Sequence, residues 1–167
     1  MADLFGGLFF IRCFLISLLY YWCCMETRYA SAERMPDNVI DELFALINTI
    51  PFVNELLAKT MDIMFVLNKE RQVVFSNQTF MDMIGVTDIH QILGKRPGEA
   101  LGCVHSDKVS GCGTSEFCVA CDALNAVLES QRNDSVEEKE CMLSLKGGAS
   151  LELKVVARPF EYMSDRF

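Results

Sequence analysis

The chain is short of positive charge. Its 167 residues carry 15 Lys and Arg against 23 Asp and Glu, which gives a net charge of −8. The first 35 residues hold three acids and three bases, so the whole imbalance lies after Pro36. An acidic domain repels phosphate backbones and anionic lipid headgroups. The sequence therefore argues against nucleic-acid binding and against docking of the folded part on a lipid surface.

Sequence signatures of common enzymes are also missing. The chain has no Ser, His and Asp set, no Gly-rich phosphate loop, and no thioredoxin-like strand and helix with its proline loop. No internal repeat is present. We therefore expect that the chain is not an enzyme. A small thiol oxidoreductase that uses Cys118 and Cys121 stays open as an alternative.

The N-terminus, by contrast, is rich in apolar residues. Residues 4–24 form an almost wholly apolar run, broken by Arg12, and its length suits a bilayer span. Leu, Ile and Phe favour insertion by roughly 3–6 kcal/mol in total, whereas a central Arg opposes it by about 2.5–3.5 kcal/mol. Arg28 and Arg34 follow the run, and the bias of Lys and Arg toward the inside would make the rest of the chain cytoplasmic. Segment 1–24 is thus a candidate inner-membrane anchor.

Two other interpretations of this segment stay open. Residues 30–32, Ala-Ser-Ala, resemble a signal-peptidase site, although the stretch before the run carries Asp3 and no Lys or Arg. Alternatively, the protein starts at Met25 and the run is a translated upstream region. Three cysteines in or beside the run are interpreted as small apolar fillers: Cys13, Cys23 and Cys24.

The region after the run divides into a linker and a helix. Residues 25–36 are polar and are interpreted as a linker. From Val39 onward, apolar residues recur at helical spacing, with an interruption at Pro51, which predicts an amphipathic helix over residues 37–58. This helix either packs on its own domain or acts as a dimerising signal helix.

Residues 59–167 have the pattern of a small domain of strands and short helices. One hairpin precedes the longest helix, and a second hairpin follows it. Gly85 ends the first short helix, and Ser115 is expected to cap the longer one. The predicted elements are, in order, strands 63–67 and 72–76, short helices after Asn77 and over 88–93, a loop over 95–110, a helix from Glu116, and strands 136–145 and 151–157.

Four of the eight cysteines lie close together: Cys103, Cys112, Cys118 and Cys121. Glycines flank the first two and allow a tight approach of the backbone. The last two form a Cys-x-x-Cys pair near the predicted helix start, where the helix dipole would lower the pKa of a thiol. Such a set suits an iron–sulfur cluster or, alternatively, a tetrahedral zinc ion. His105 could replace one cysteine as a ligand.

The spacing of these cysteines matches no standard ferredoxin motif, and other interpretations stay open. The thiols could form a thiol–disulfide switch, or they could be incidental, with Cys121 in the core and His105 solvated in a loop. Cys141, within a predicted strand, is interpreted as core. A flavin or haem pocket is a further alternative, lined by Phe65, Phe75, Phe80 and Met83.

The order of these elements resembles that of a PAS domain, a small sensor module of bacterial signalling proteins. Residues 62–76 are similar to its opening hairpin, and Asn77 and Phe80 fit the x-Asn-x-x-Phe motif that follows the second strand. Residues 96–121, with the cysteines, resemble a cysteine-bearing subset that is often found in front of histidine kinases. The resemblance covers about residues 55–163.

The resemblance implies an α+β fold, with an antiparallel sheet and short helices on one face, in residues 59–167. It also implies a sensory input module that responds through its cysteines to redox state, oxygen or a small ligand. A homodimer or a histidine kinase is the implied partner, and no kinase region is present in the chain. The rival interpretation is a PAS interaction module with a structural zinc. A PAS sheet has five strands, and the fifth follows the region 159–162, so we expect it to be missing or reduced to a stub.

Overall fold

The computed structural model of the protein describes Thr27, residues 29–50, Glu55, and residues 59–163 and 165–167. The predicted hydrophobic segment 1–24 lies outside these residues, and so does most of the second half of the helix predicted over 37–58. In the part of the chain that is described, no helix has the length and hydropathy needed to cross a bilayer.

The first helix, α1 (Asp37–Asn48), packs on its own domain. It starts after Pro36, whose extended backbone stands at the N-cap, and Asp37 in the first turn suits the helix dipole. Its buried face is formed by Ile40, Leu43 and Ile47, which meet Val74 of the second strand. The amphipathic pattern was therefore interpreted correctly as a packing face over this half. A dimerising role stays a prediction.

The opening hairpin is formed by β1 (Phe65–Leu67) and β2 (Val73–Ser76), which pair antiparallel with a bulge at Val74 of β2. The helix α2 (Gln78–Ile84) follows at once. Asn77 caps it, because its side chain accepts a hydrogen bond from Phe80 N at 3.2 Å, and it also accepts one from Met64 N at 3.1 Å. Gly85 ends the helix with a left-handed backbone, φ 68°. The predicted hairpin and helix are confirmed.

The middle of the chain differs from the prediction in two places. The segment predicted as a loop over 95–110 contains a short helix, α3 (Pro97–Ala100). The long helix does not begin at Glu116: a 3-10 helix over Glu116–Ala120 is followed by an extended backbone at Cys121 (φ −86°, ψ 103°). The α-helix α4 (Asp122–Asn133) starts only after that break. A shorter 3-10 helix also occurs at Ile89–Gln91.

The second hairpin is the longest strand pair. Strands β3 (Glu137–Ser144) and β4 (Ser150–Ala157) pair antiparallel in unbroken register from Glu137↔Ala157 to Ser144↔Ser150. Helix α4 packs against both strands. On β3 the residues that face inward are buried at Cys141 and Leu143. This arrangement confirms the predicted hairpin.

The C-terminal residues form only a short strand pair, β5 (Glu161–Tyr162) with β6 (Asp165–Arg166). Phe167 nevertheless enters the core beside α1 and stacks on Phe160, with ring centroids 5.0 Å apart. Within the described residues, the strands form three two-stranded ladders, which are antiparallel throughout. Together with the short helices, they confirm the predicted α+β class.

The segment predicted as a linker is part of the packed domain from residue 29 onward. Ala30 is buried, and its N–H donates to the carbonyl of Gly113 at 3.0 Å. Met35 N–H donates to Gln72 Oε1 at 2.7 Å. The chain that leads into α1 is therefore fixed against both the cysteine loop and the first hairpin.

Candidate functional site

Cys103 and Cys112 meet across Gly98 of α3. Cys103 is buried, and its N–H donates to the carbonyl of Gly98 at 2.7 Å. A Cβ built at Gly98 would lie 2.7 Å from Cys112 Sγ and 3.4 Å from Cys103 Cβ. Only glycine fits at this position, so the close approach of α3 to both cysteines depends on the absence of a side chain.

Two glycine conformations and one backbone hydrogen bond fix the loop around Cys112. Gly111 and Gly113, on either side of Cys112, have left-handed backbone conformations with φ values of 100° and 92°. The N–H of Cys112 donates to Glu99 Oε1 at 3.0 Å. The glycines that the sequence analysis noted thus let the loop turn back onto α3.

Cys118 lies in the 3-10 helix before α4, and Cys121 lies at the break between the two helices. Cys118 is buried among Ala30 and Leu124, and its Sγ lies 3.2 Å from Ser115 Oγ. Ser115 therefore contacts a thiol and does not cap the helix with its side chain. Cys121 is the N-cap residue of α4.

A fifth cysteine joins this group. Cys141 of β3 is buried, β3 packs against α4, and Cys141 lies near enough to Cys121 to help raise the pKa of that thiol. The sequence placed Cys141 in the core correctly but gave no sign of this contact, which depends on how β3 packs against the start of α4.

The thiols of Cys112 and Cys121 are held in their neutral form. Burial raises the pKa of Cys112 to about 12, and the neighbouring Cys118, Cys121 and Glu99 add to the shift. Burial likewise raises the pKa of Cys121 to about 11, with further contributions from Cys141 and Cys118. The expectation that a helix N-terminus lowers the pKa of the Cys-x-x-Cys pair was wrong for Cys121, because desolvation of the thiolate outweighs the dipole.

A fully buried arginine ties this loop to the rest of the domain. Arg96 has no exposed surface, and its guanidinium donates to four backbone carbonyls. These are the carbonyls of Ser31 (3.1 Å), Glu33 (2.8 Å), Glu70 (3.2 Å) and Cys112 (3.1 Å). Arg96 thereby links the segment before α1, the turn of the first hairpin and the cysteine loop.

Glu99 of α3 is a half-buried carboxylate that bonds to the cysteine loop and to Arg34. Its carboxylate accepts hydrogen bonds from the backbone N–H groups of Arg96 and Cys112, each at 3.0 Å, and from the guanidinium of Arg34. Burial alone would raise the pKa of Glu99, but these hydrogen bonds outweigh it and hold the pKa below its usual value. The guanidinium of Arg34 is thus the cation that bonds directly to this carboxylate.

Both buried arginines remain charged. Burial lowers the pKa of Arg96 to about 10, and the like charges of Arg71 and Arg34 lower it further. Burial also lowers the pKa of Arg71, although the nearby Cys112 opposes the change. Since both values start from the very high pKa of a guanidinium, both groups are protonated near neutral pH.

These residues fit a thiolate-ligated metal in the type of donor and in charge. Cysteine sulfurs are the ligands that zinc and iron–sulfur clusters prefer, and the surrounding arginines would balance thiolate charge. Among the described residues, however, no three His, Cys, Asp or Glu side chains are arranged to hold a metal ion. Metal binding would therefore require the cysteine side chains of this loop to move closer to one another.

His105, expected to be a solvated loop residue or a substitute ligand, is only partly exposed. Its ring stacks on Phe117, with centroids 4.5 Å apart and planes within 10°. Its Nδ1 is buried without a hydrogen-bond partner among the described residues. Lys108 Nζ lies 4.4 Å from the centroid of the Phe117 ring. Phe117 itself is 47% exposed.

The residues suggested for a flavin or haem pocket do not share a cavity. An open cavity of about 510 Å³ lies beside α1, and of the four residues only Phe75 lines it. Phe80 is fully buried and its ring packs against Phe65, with centroids 5.3 Å apart. Met83 is 41% exposed. Phe65 and Phe80 thus serve as core.

Comparisons with known proteins give structural neighbours only. No protein-family model and no curated protein matches the chain. It is similar to a crystal structure of a PAS domain from a two-component sensor histidine kinase, with 14% identity and a TM-score of 0.47 over 69% of this chain and 86% of that one. It is also similar to a PAS domain of an HTR-like protein from Haloarcula marismortui, with 17% identity and a TM-score of 0.38 over 78% and 86%. Both structures are PAS domains, the family that the sequence resembles.

Proposed function

We propose that this chain is a sensory input module of a signal-transduction protein and that the cysteine loop, residues 103–121, is its sensing element. Within the proposal, the loop responds to redox state, oxygen or a small ligand, and the response reaches α1. The observation that supports it is a set of hydrogen bonds from the Arg96 guanidinium to the carbonyls of Cys112, Ser31 and Glu33. These hydrogen bonds connect the cysteine loop to the segment before α1.

The route from the loop to α1 is short and made of buried contacts. Residues 31–35 precede α1 directly and are held by Arg96 and by Gln72. Glu99 provides a second link, since it binds the N–H of Cys112 and the guanidinium of Arg34. A movement of the loop would therefore change the contacts that fix the start of α1. Small shifts are amplified in this way where packed elements have two discrete arrangements.

The proposal includes a metal centre held by cysteine thiolates. Cys103, Cys112, Cys118 and Cys121 would hold it, with Cys141 next to Cys121 as a further sulfur. An iron–sulfur cluster would supply reversible one-electron chemistry. The protein supplies burial, arginine counter-charges and the exclusion of water by Ala30 and Leu124, which cover Cys118.

A second candidate is an interaction module with a structural zinc. The burial of Cys118 in the core cluster with Ala30 and Leu124 favours it, because a zinc bound there would stabilise the fold directly. A thiol oxidoreductase is the least supported alternative, since the raised pKa values of Cys112 and Cys121 leave few nucleophilic thiolates.

The proposed partner is a second copy of this chain or a histidine kinase. Nucleic acid is not proposed as a partner. The proposed location is the cytoplasm, with residues 4–24 as an inner-membrane anchor. The exclusion of nucleic acid rests on the acidic domain, and the location rests on the charge pattern around the apolar run. The partners are those that the resemblance to PAS domains implies.

The test is anaerobic purification of the full chain with iron, sulfide and zinc analysis and an absorption spectrum. We expect iron and sulfide in matching amounts for the sensor, and the double variant C118S/C121S should lose both while it retains its fold. The matched control is C23S/C24S, which changes two cysteines outside the loop. A colourless protein with stoichiometric zinc, destabilised in C118S/C121S, would support the structural module. Wild-type protein without metal would overturn the metal centre.

A further inference from the structure

Strand β4 has an open edge. Within the described residues it pairs with β3 alone, and no backbone hydrogen bond from another described segment reaches its outer side. The outer edge of β3, by contrast, is closed at one end, because Val104 N–H donates to Ser144 O at 3.0 Å. Proline and bulges, which commonly protect such edges, are absent from β4. An edge of this length and regularity is a template for a further strand.

The inward face of this hairpin is covered unequally. Cys141 and Leu143 of β3 are 6% and 8% exposed. Their cross-strand partners on β4, Leu153 and Leu151, are only half-buried, and so is Val155. The apolar face therefore continues to the open edge without full cover. A further strand beside β4 would remove more of these side chains from water, which is favourable.

The free hydrogen-bonding groups at this edge belong to alternate residues. Leu145 N–H donates to the carbonyl of Ala149 at 2.8 Å, and the register along β4 is unbroken from there. Hydrogen-bonded and non-hydrogen-bonded pairs alternate in an antiparallel ladder, so Leu153 bonds to β3. Glu152 and Lys154 therefore direct their backbone N–H and C=O groups to the open edge. Both residues are exposed.

The sequence of β4 is complementary to itself in one antiparallel register. With Leu153 opposite Leu153 of a second copy, each Glu152 lies opposite a Lys154, and two-fold symmetry produces this pair twice. On the inner face, Leu151 then lies opposite Val155. A slip of two residues in either direction would place Glu152 opposite Glu152 or Lys154 opposite Lys154. Like charges directly opposite each other are destabilising, so the charges select the first register.

We propose that the outer edge of β4 binds the same edge of a second copy of this chain, in an antiparallel pair centred on Leu153 with reciprocal ion pairs between Glu152 and Lys154. The two hairpins would form one four-stranded sheet. Lys154 Nζ already lies 2.8 Å from Glu138 Oε1, but both side chains are more than half exposed, so the lysine can turn to a new partner at little cost. This interface supplies the surface for the second copy proposed above as a partner, and in that respect it rests on the proposed function. It requires no metal.

The test compares charge variants of the full chain by sedimentation equilibrium in a mild non-ionic detergent. E152K and K154E each place like charges opposite each other twice per dimer, so we expect each to raise the dimer dissociation constant at least about tenfold. The double variant E152K/K154E exchanges the two charges and should return the dissociation constant close to the wild-type value. The matched control is D41K, which makes the same change of net charge as E152K at an exposed position of α1 and should associate like wild type.

A zero-length carbodiimide, which joins a carboxylate to an amine in direct contact, tests the register itself. In an equal mixture of unlabelled and isotopically labelled wild-type chains, we expect a mixed-isotope cross-link between Glu152 and Lys154. Such a cross-link can form only between two copies. It needs no variant, so it decides even where a variant fails to fold, which circular dichroism establishes.

The outcomes separate this interface from the sensing function. A wild-type chain without the mixed cross-link overturns the interface, whether the chain is monomeric or associates through another surface. A folded double variant that associates no more tightly than the single variants overturns the ion pairs and the register. Iron and sulfide in a chain that lacks the cross-link would leave the proposed sensor intact. A cross-linked chain without metal would support the interface and overturn the metal centre alone.

Discussion

Cys112 Sγ occupies the space that a side chain on Gly98 would need: a Cβ at Gly98 would lie only 2.7 Å from it. This contact holds α3 against the cysteine loop, and Cys103 packs on the same glycine, with its Cβ 3.4 Å from that position. Because two of the four clustered cysteines meet at one glycine, the packing of α3 sets their separation.

The variant G98A is therefore expected to destabilise the domain by about 1–3 kcal/mol, the usual cost of overpacking. It should also push Cys112 outward, so that this thiol is alkylated faster in metal-free protein. Urea unfolding gives the first quantity, and mass spectrometry of alkylated peptides gives the second. If both remain at their wild-type values, the contact is not the constraint described here.

Arg96 is expected to be the most sensitive polar residue of the domain. R96A would leave four backbone carbonyls without their donor, and each buried unsatisfied group costs about 1–3 kcal/mol. We expect a loss of at least about 3 kcal/mol in the free energy of unfolding, with a smaller loss for R96K. Hydrogen exchange should show faster opening of residues 31–35 in R96K. Unchanged exchange there would contradict the proposed route to α1.

Glu99 should make stability depend on pH in the acid range. Its pKa is lowered in the folded state, so its contribution is complete above the ordinary pKa of a glutamate and is lost as pH falls through the folded value. At neutral pH we expect E99Q to be less stable than wild type by about 1.5–3 kcal/mol, from hydrogen bonds to a charged group. The difference should shrink as the pH is lowered. A difference that stays constant with pH would show that the charge of Glu99 does not matter.

Thiol reactivity should separate the sensor from the oxidoreductase alternative. With pKa values of about 12 and about 11, Cys112 and Cys121 are less than about 0.1% ionised at pH 8. In metal-free protein we expect iodoacetamide to modify both more slowly than it modifies free glutathione, with rates that rise with pH above 9. Fast alkylation of Cys121 at pH 7 would instead favour a nucleophilic role.

The packing of α1 on its own domain can be tested at Ile47. This residue is 1% exposed and lies in the core cluster with Val74 and Phe167. Truncation of a buried isoleucine to alanine costs about 2–5 kcal/mol, so I47A should lower the free energy of unfolding by that amount. The exposed residue Asp41 of the same helix provides the control, D41A, which should be close to neutral. An I47A protein of wild-type stability would place α1 outside the cooperative domain.

Several parts of the structure follow from local sequence. The first hairpin is marked by a polar turn between two apolar runs, and Asn77 and Gly85 mark the two ends of α2 through capping chemistry that needs no distant residue. The β3–β4 hairpin follows in the same way from its alternation and from the glycines at its turn. Helix α1 was predicted because its apolar spacing reflects burial on one side.

The helix from Glu116 shows where local reasoning fails. Its apolar spacing continues through Cys121, yet the helix is interrupted at that residue. Phe117 faces outward and stacks on His105. Contacts from other elements accompany the break: Ala30 packs against Cys118, and Cys141 lies near Cys121. Spacing alone records none of these contacts, which join residues distant in the chain.

What the sequence determined by itself is the α+β class, the positions of the hairpins and α2, and the presence of four clustered cysteines. Only the tertiary structure decided that Arg34, Arg71, Arg96 and Glu99 surround the loop and that Cys141 joins the thiols. The reason is physical: caps, turns and periodicity act over a few residues, whereas the environment of a buried charge or thiol depends on which distant segments fold around it. The chemistry of the loop is therefore set by packing, although its cysteines can be read directly from the sequence.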